Sequence, residues 1–289
     1  MFCKHCGKEI QTGTKFCTKC GESFQSIDSV IKNRNIFSKK KLFIGGIFVI
    51  IIIVVGYFAF SQKSPSDDIA AMVVNIYCES DYNDESSGGS GTIFSEDGLV
   101  LTNAHIIPIN LETGMLDDEA TCLVILPDST TGSPDEIYWA YPIIAPEISE
   151  LYDLAFMQIH DVFYDPEEGV AYGDYPKKFP SYTGTQCKEE NVRLGESVRV
   201  YGYPAISGGY ALTITDGVVS SLLPDEGLII TSAKISYGNS GGIAVDQYGC
   251  MIGVPSMVTG DENESLGVII SNDLIAEFAD ELSVQIGNF

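Results

Sequence analysis

Leu228-Ile229-Ile230-Thr231-Ser232-Ala233-Lys234-Ile235-Ser236-Tyr237-Gly238-Asn239-Ser240-Gly241-Gly242-Ile243-Ala244-Val245 carries two short apolar runs joined by a loop in which a serine is framed by glycines. Runs of β-branched residues this short, bounded by Gly, Ser and Asn, read as strands. Glycine at Gly238 and Gly241 permits a tight turn that a side chain would obstruct. Such a turn can aim neighbouring backbone N–H groups at one point, which is what a serine attacking a carbonyl requires. A glycine–serine stretch is more often a plain turn or linker. Ser240 therefore becomes a candidate nucleophile only where a histidine and a carboxylate stand to serve it.

The same grain extends in both directions. Short apolar runs rich in Val, Ile and Tyr recur at Met72–Tyr77, Gly91–Phe94, Leu99–Thr102, Thr121–Leu126 and Leu154–Ile159. They recur again at Val198–Tyr201, Leu212–Ile214, Val218–Ser220, Leu228–Thr231, Ile243–Val245, Met251–Val254 and Gly267–Ile270. Many strands separated by Gly, Pro, Asp and Asn predict an all-β domain, a barrel or a sandwich. One helix stands out, Asn272 to Leu282, with Leu274, Ile275, Phe278 and Leu282 on one face and Ser271 or Asn272 as its cap. No internal repeat at a solenoid period is present, and no second domain is expected after this helix.

Two histidines lie among these strands. His105 ends the apolar run Leu99-Val100-Leu101-Thr102-Asn103-Ala104, which Asp97-Gly98 introduces as a turn; His160 follows Leu154–Ile159. Asp153 begins that second run, and a carboxylate abutting an apolar strand can become buried and fix a histidine tautomer through Nδ1. Each residue alone could be an ordinary strand-end or turn residue. Together, in the order His105, Asp153, Ser240, they form the set that nucleophilic acyl transfer needs.

At this point the sequence resembles trypsin-like serine proteases, and specifically their bacterial HtrA/Deg-like branch, over about residues 69–285. Gly88-Gly89-Ser90-Gly91-Thr92-Ile93-Phe94 through Thr102-Asn103-Ala104-His105 resembles that family's GSG–strand–DG–strand–TNxH segment. Asp153-Leu154-Ala155 matches its DLA, Gly202-Tyr203-Pro204 its G-x-P turn, and Thr215-Asp216-Gly217-Val218-Val219-Ser220 its TxGxVS strand. Thr231 through Gly242 resembles its nucleophile loop. The resemblance implies two six-stranded β-barrels followed by a C-terminal helix, with the site in the cleft between them. It also implies His105 as general base, Asp153 as its orienting partner, and the N–H groups of Gly238 and Ser240 as an oxyanion hole. Ser256 would lie beside Asp153, and Ser256, Met257 and Val258 would pair with the substrate backbone. Lys234 aligns near the base of the primary specificity pocket, where it either points inward, favouring acidic or small side chains, or snorkels outward. Tyr237 stands where the family often has proline, Pro255 removes a donor, and no PDZ-like module follows.

The N-terminal end is different chemistry. Cys3 and Cys6 form one CxxC, Cys17 and Cys20 another, each pair followed by glycine (Gly7, Gly21). Four thiolates satisfy tetrahedral Zn2+, and so short a segment cannot fold on its apolar residues alone. Residues 1–24 resemble the zinc ribbons at the N-termini of many prokaryotic membrane proteins, which implies a structural zinc; the catalytic chemistry needs no cofactor. Residues 25–41 are a basic linker. Leu42 to Phe60 is uncharged throughout, and as a helix of about 1.5 Å per residue it would reach across a hydrocarbon layer of roughly 30 Å. The lysines at 39–41 place the N-terminus in the cytoplasm by the positive-inside rule. The expected order is thus ribbon 1–24, linker 25–41, single-pass transmembrane helix 42–60, tether 61–68 and an extracytoplasmic protease domain 69–289.

Charge divides at the same place. Residues 1–41 carry nine Lys or Arg against three Asp or Glu, whereas from 42 onward seven basic residues face 37 acidic ones. So acidic a domain repels phosphate backbones, which excludes nucleic acid as its partner. Its four cysteines, Cys78, Cys122, Cys187 and Cys250, allow three disulfide pairings that sequence does not rank, and free buried thiols are the alternative. The expected function is a membrane-anchored serine endopeptidase acting on extracytoplasmic proteins or peptides through an acyl-enzyme. The alternative is a catalytically silent protease-fold module that signals across the membrane. A cytoplasmic protein partner of the ribbon and a homo-oligomer are both compatible with this layout.

Overall fold

Along Thr121–Pro127 the side chains alternate: Cys122, Val124 and Leu126 are buried while Thr121 is exposed and Leu123 and Ile125 are half-buried. That period of two is what rolls a strand into a closed sheet with one face inward. The computed structural model describes residues 65–80, 86–128, 130–184, 191–259 and 266–286. The readings made for residues 1–60, including the span Leu42–Phe60, lie outside them. Among the described residues no helix is long and apolar enough to cross a membrane.

After a short helix α1 (Pro65–Ala70), six strands form the first barrel: β1 (Val73–Glu79), β2 (Ser86–Ile93), β3 (Leu99–Thr102), β4 (Thr121–Pro127), β5 (Pro134–Ile143) and β6 (Ala155–Val162), with α2 (Pro146–Tyr152) between the last two. Six more form the second: β7 (Ser197–Gly202), β8 (Thr213–Leu223), β9 (Leu228–Thr231), β10 (Ile243–Asp246), β11 (Met251–Thr259) and β12 (Leu266–Ser271). Both sheets close with one connectivity, β1-β2-β3-β6-β5-β4 and β7-β8-β9-β12-β11-β10, every pairing antiparallel. The all-β, double six-stranded reading is therefore correct. Two short ribbons, Ile109–Asn110 with Met115–Leu116 and Tyr164–Asp165 with Val170–Ala171, decorate the first barrel.

Several element readings need correction. The runs read separately at Leu212–Ile214 and Val218–Ser220 are joined in one strand, β8 (Thr213–Leu223), as the resemblance of Thr215–Ser220 to a strand implied, and its Gly217 serves a close approach. A Cβ there would sit 2.0 Å from the backbone nitrogen of Ala233. In compensation, β5 went unread because Pro134, Asp135, Glu136 and Pro142 are poor strand residues, although Ile137-Tyr138-Trp139-Ala140-Tyr141 at its centre suits a pleated surface. Helix α1 begins inside the segment read as a tether, and α2 is too short to show a periodic face.

The long C-terminal helix α3 (Asn272–Ile286) extends past the expected Leu282. Its N–H at Leu274 meets Ser271 Oγ at 3.4 Å, and it buries Ile275, Phe278 and Leu282 while Leu274 is only half-buried. Phe278 stacks on Phe156 with ring centroids 5.7 Å apart and lies 5.8 Å from Tyr152. Burying such a ring contributes roughly 1.5–3 kcal/mol, here fastening the end of the chain to the first barrel beside α2. A disulfide joins Cys78 and Cys122, directly opposed on β1 and β4; Cys250 is disulfide-bonded as well.

Candidate active site

Helix α2 ends in a Schellman-type turn. Leu154 N–H returns to the carbonyl of Ser149 at 3.2 Å, which places Asp153 in the left-handed region at φ 50°, ψ 42°. Glycine usually fills this position, because a Cβ costs about 1–2 kcal/mol there. Asp153 is the one non-glycine residue with positive φ among the described residues. Strain held at a single carboxylate points to a function. Asn103 Nδ2 donates to the Asp153 carbonyl at 2.7 Å, tying the turn to the end of β3.

That same chain end carries His105, in a single 3-10 turn spanning Ala104–Ile106. Its Nδ1 lies 2.8 Å and 3.0 Å from the two carboxylate oxygens of Asp153, and its backbone N–H donates to Oδ1 at 3.2 Å. A carboxylate only accepts, so Nδ1 carries the proton and Nε2 is left as the acceptor. The imidazole is half exposed and the carboxylate about a quarter exposed. His160, the other histidine of this domain, lies away from this pair, with its ring 5.6 Å from Tyr141.

Ser240 is buried, at 8% exposure. Its hydroxyl donates to the carbonyl of Ser256 at 2.5 Å rather than to His105. Ser256 in turn donates its own hydroxyl to Asp153 Oδ2 at 2.5 Å. The second barrel thus reaches the first through Ser256. The loop before Ser240 is set by a turn, Asn239 N–H to Ser236 carbonyl at 3.0 Å, and by Ala205 N–H donating to the Tyr237 carbonyl at 2.8 Å. Among the described residues the N–H groups of Gly238 and Ser240 have no partner, while that of Asn239 between them is engaged.

Glycine is required twice in this loop. Gly238 has φ 96° and a Cβ would lie 2.3 Å from the Tyr203 carbonyl; Gly241 has φ 84° and a Cβ would lie 2.1 Å from that of Ser90. Ser90, at the heart of the GSG segment, is fully buried and spends its N–H and its hydroxyl on this contact. Its N–H donates to the Ser240 carbonyl at 2.8 Å and its hydroxyl to the Gly238 carbonyl at 2.6 Å, while Tyr203 N–H donates to that hydroxyl at 2.8 Å. Thr102 Oγ1 donates to the Ser90 carbonyl at 2.7 Å.

The remaining predicted residues are placed as follows. Lys234 is exposed, and its carbonyl, not its ammonium, faces the loop, accepting from Thr215 Oγ1 at 2.9 Å and Asn239 Nδ2 at 3.4 Å. Ile235 beside it is buried in the second barrel. Met257 and Val258 run along β11 opposite Val268 and Gly267 of β12; their side chains lie outside the described residues.

Residues 89–254 match the trypsin-like peptidase domain family, a stretch that contains His105, Asp153 and Ser240. This chain belongs to the trypsin-like peptidase family. Residues 2–24 match a zinc-ribbon domain. Relatives of the trypsin-like domain include the serine protease Do-like HtrA of Bacillus subtilis, 27% identical over 222 residues covering 71% of this chain and 41% of the relative. The mitochondrial serine protease HTRA2 of Bos taurus is 29% identical over 204 residues, covering 66% of this chain and 35% of the relative. A probable periplasmic DegP-like serine endoprotease of Brucella suis is 30% identical over 189 residues, covering 62% and 29%. The chain thus spans between 29% and 41% of the length of these relatives. Within the trypsin-like domain, the structure adds two residues that sequence reasoning quoted but gave no task, Ser90 and Asn103. The signal was there: a serine flanked by glycines can bring its backbone against another chain segment.

Proposed function

We propose that this protein is a serine endopeptidase in which Ser240 attacks the scissile carbonyl, His105 accepts its proton and later delivers it to the leaving amine, and Asp153 holds the ring. The observation that carries the reading is the Nδ1 contact of His105 with both oxygens of Asp153, next to a buried serine on a loop with two unpartnered N–H groups. On this reading Gly238 and Ser240 stabilise the oxyanion. On the same reading the Ser240 hydroxyl exchanges the Ser256 carbonyl for Nε2 as substrate enters. Beyond Gly253 no strand of β10 pairs with β11, so Ser256, Met257 and Val258 offer a sheet edge on which an extended polypeptide can add as a strand. The names of the relatives, all serine proteases, support the same class.

Around this core the protein is read as membrane-anchored: Leu42–Phe60 spans once, the ribbon faces the cytoplasm and the peptidase domain lies outside. The disulfide between Cys78 and Cys122 fits an oxidising compartment. Cys3, Cys6, Cys17 and Cys20 form an all-thiolate donor set suited to structural zinc. One observation favours a catalytically silent module instead, the Ser240 hydroxyl resting on Ser256. Labelling of the full chain with a fluorophosphonate decides between them. The endopeptidase takes one label at Ser240 and loses it on Ser240→Ala; a folded wild-type protein that takes none is the silent module.

A further inference from the structure

Next to the nucleophile loop the two barrels enclose a cleft of about 550 Å³, a size typical of ligand sites, which run from roughly 300 to 1,000 Å³. Gly238 and Tyr237 line it, as does Gly89, where a Cβ would lie 3.2 Å from the Ser240 carbonyl. Ser256 and Asp153 do not. A polypeptide added to the edge of β11 would approach Ser240 from the Ser256 side, so this cleft receives what lies beyond the scissile carbonyl.

Its chemistry departs from that of the surrounding surface. From residue 42 onward 37 acidic residues outnumber seven basic ones, yet among the described residues none that lines the cleft is charged. Leu123 and Ile125 of β4 and Tyr77 of β1 supply one wall, and Tyr210 supplies the other, with Tyr77 39% and Tyr210 65% exposed. The walls are fixed before anything binds. Asn75 Nδ2 donates to the Gly209 carbonyl at 2.6 Å, and Tyr203 OH donates to the Val73 carbonyl at 3.1 Å, its phenol pushed up by burial and so kept as a donor. Outward the surface becomes mixed. Tyr77, Leu123 and Trp139 are successive cross-strand neighbours on β1, β4 and β5, and with Phe163, Thr121 and the carboxylate of Glu79 they border a second hollow of about 290 Å³.

We infer that this cleft selects the leaving-group side of the substrate, taking uncharged aromatic or large aliphatic side chains within the first few residues after the scissile bond. The inference rests on the endopeptidase reading. A carboxylate entering the same space would lose its hydration with no cation among the described lining residues to meet it, which makes the discrimination apolar against acidic.

The test is digestion of a complex mixture of denatured polypeptides by the full chain, with the residues flanking every cut identified by mass spectrometry. Phe, Tyr, Leu and Ile should exceed Asp and Glu by about tenfold at one or more of the first three positions after the bond, the discrimination one apolar pocket can supply. Tyr210→Ala combined with Leu123→Asp should reduce that enrichment to less than about twofold, while Tyr210→Phe keeps it. Cleavage with no enrichment after the bond, or an enrichment the double variant leaves intact, overturns the inference and leaves the endopeptidase reading standing. Absence of any cleavage together with absence of fluorophosphonate labelling overturns both.

Discussion

The hydroxyl of Ser90, on the first barrel, donates to the carbonyl of Gly238, on the second, at 2.6 Å. That bond orients the peptide carrying the carbonyl of Gly238, within the loop that presents Ser240. Ser90→Ala leaves a buried acceptor and the Tyr203 N–H unpaired, at a cost of about 1–3 kcal/mol in stability. It also frees the loop to rotate. Deleting an oxyanion donor costs about 100- to 1,000-fold in kcat, and loosening one should cost less, about 10- to 100-fold. Steady-state kinetics on a peptide substrate should show the loss in kcat with KM little changed. A variant with wild-type kcat would mean that the loop holds its shape without Ser90.

Asp153 carries two burdens that substitution can separate. Its side chain holds His105, and its backbone occupies the left-handed region at φ 50°. Both Asp153→Ala and Asp153→Gly remove the carboxylate, and each should lower kcat by about 10,000-fold, the scale seen when such an aspartate is lost. Their stabilities should differ. Glycine relieves the strained φ and alanine does not, so denaturant unfolding should find the glycine variant more stable by about 1 kcal/mol. Equal stabilities would show that the turn is not strained.

The parts of this architecture that follow from local periodicity were legible in the sequence. Leu99–Thr102 and Leu228–Thr231 were read with the bounds the strands have. The apolar face of the C-terminal helix was read as well, with Ile275, Phe278 and Leu282 inward. What failed did so where tertiary contacts outvote propensity. The runs Leu212–Ile214 and Val218–Ser220 were separated by periodicity although one strand, Thr213–Leu223, carries both with Gly217 against the backbone of Ala233, and Pro142 sits in β5 opposite Met157 although proline has no N–H to give. At the site, the order His105, Asp153, Ser240 was readable, and the first two meet at 2.8 Å. The work of Ser90 was not, because its partners are backbone atoms contributed by segments more than a hundred residues away. Nor was the pairing of Cys78 with Cys122, which depends on the register of β1 against β4.

That disulfide closes a loop with a sequence separation of 44. In the chain-entropy account, a cross-link of this span removes about 4 kcal/mol of freedom from the unfolded chain, and measured values commonly fall between about 2 and 4. Cys78 and Cys122 are both fully buried on adjacent strands, so a double Cys78→Ala, Cys122→Ala variant avoids leaving a free thiol behind. Its urea midpoint should drop by the equivalent of about 2–4 kcal/mol, with the unfolding slope increased where the unfolded chain expands. A midpoint unchanged from wild type would mean that the strand pairing alone holds β1 to β4.

The ribbon and the peptidase domain should respond independently to loss of metal. Structural zinc bound by four thiolates supplies most of the folding free energy of so small a unit, about 10–16 kcal/mol in comparable peptides. Residues 2–24 match a zinc-ribbon domain whereas the trypsin-like match begins at residue 89, and the proposed proton transfer from Ser240 to His105, with Asp153 holding the ring, draws on side chains alone. The purified full chain should therefore carry about one zinc per molecule by elemental analysis, as a single four-coordinate structural site requires. Cys3→Ser with Cys17→Ser should abolish that content. A strong chelator should strip the metal and expose residues 1–24 to proteolysis while fluorophosphonate labelling at Ser240 continues at its original rate. Labelling that falls in step with zinc release would show that the state of the ribbon is transmitted to the nucleophile loop, and the two units would then have to be treated as one coupled system.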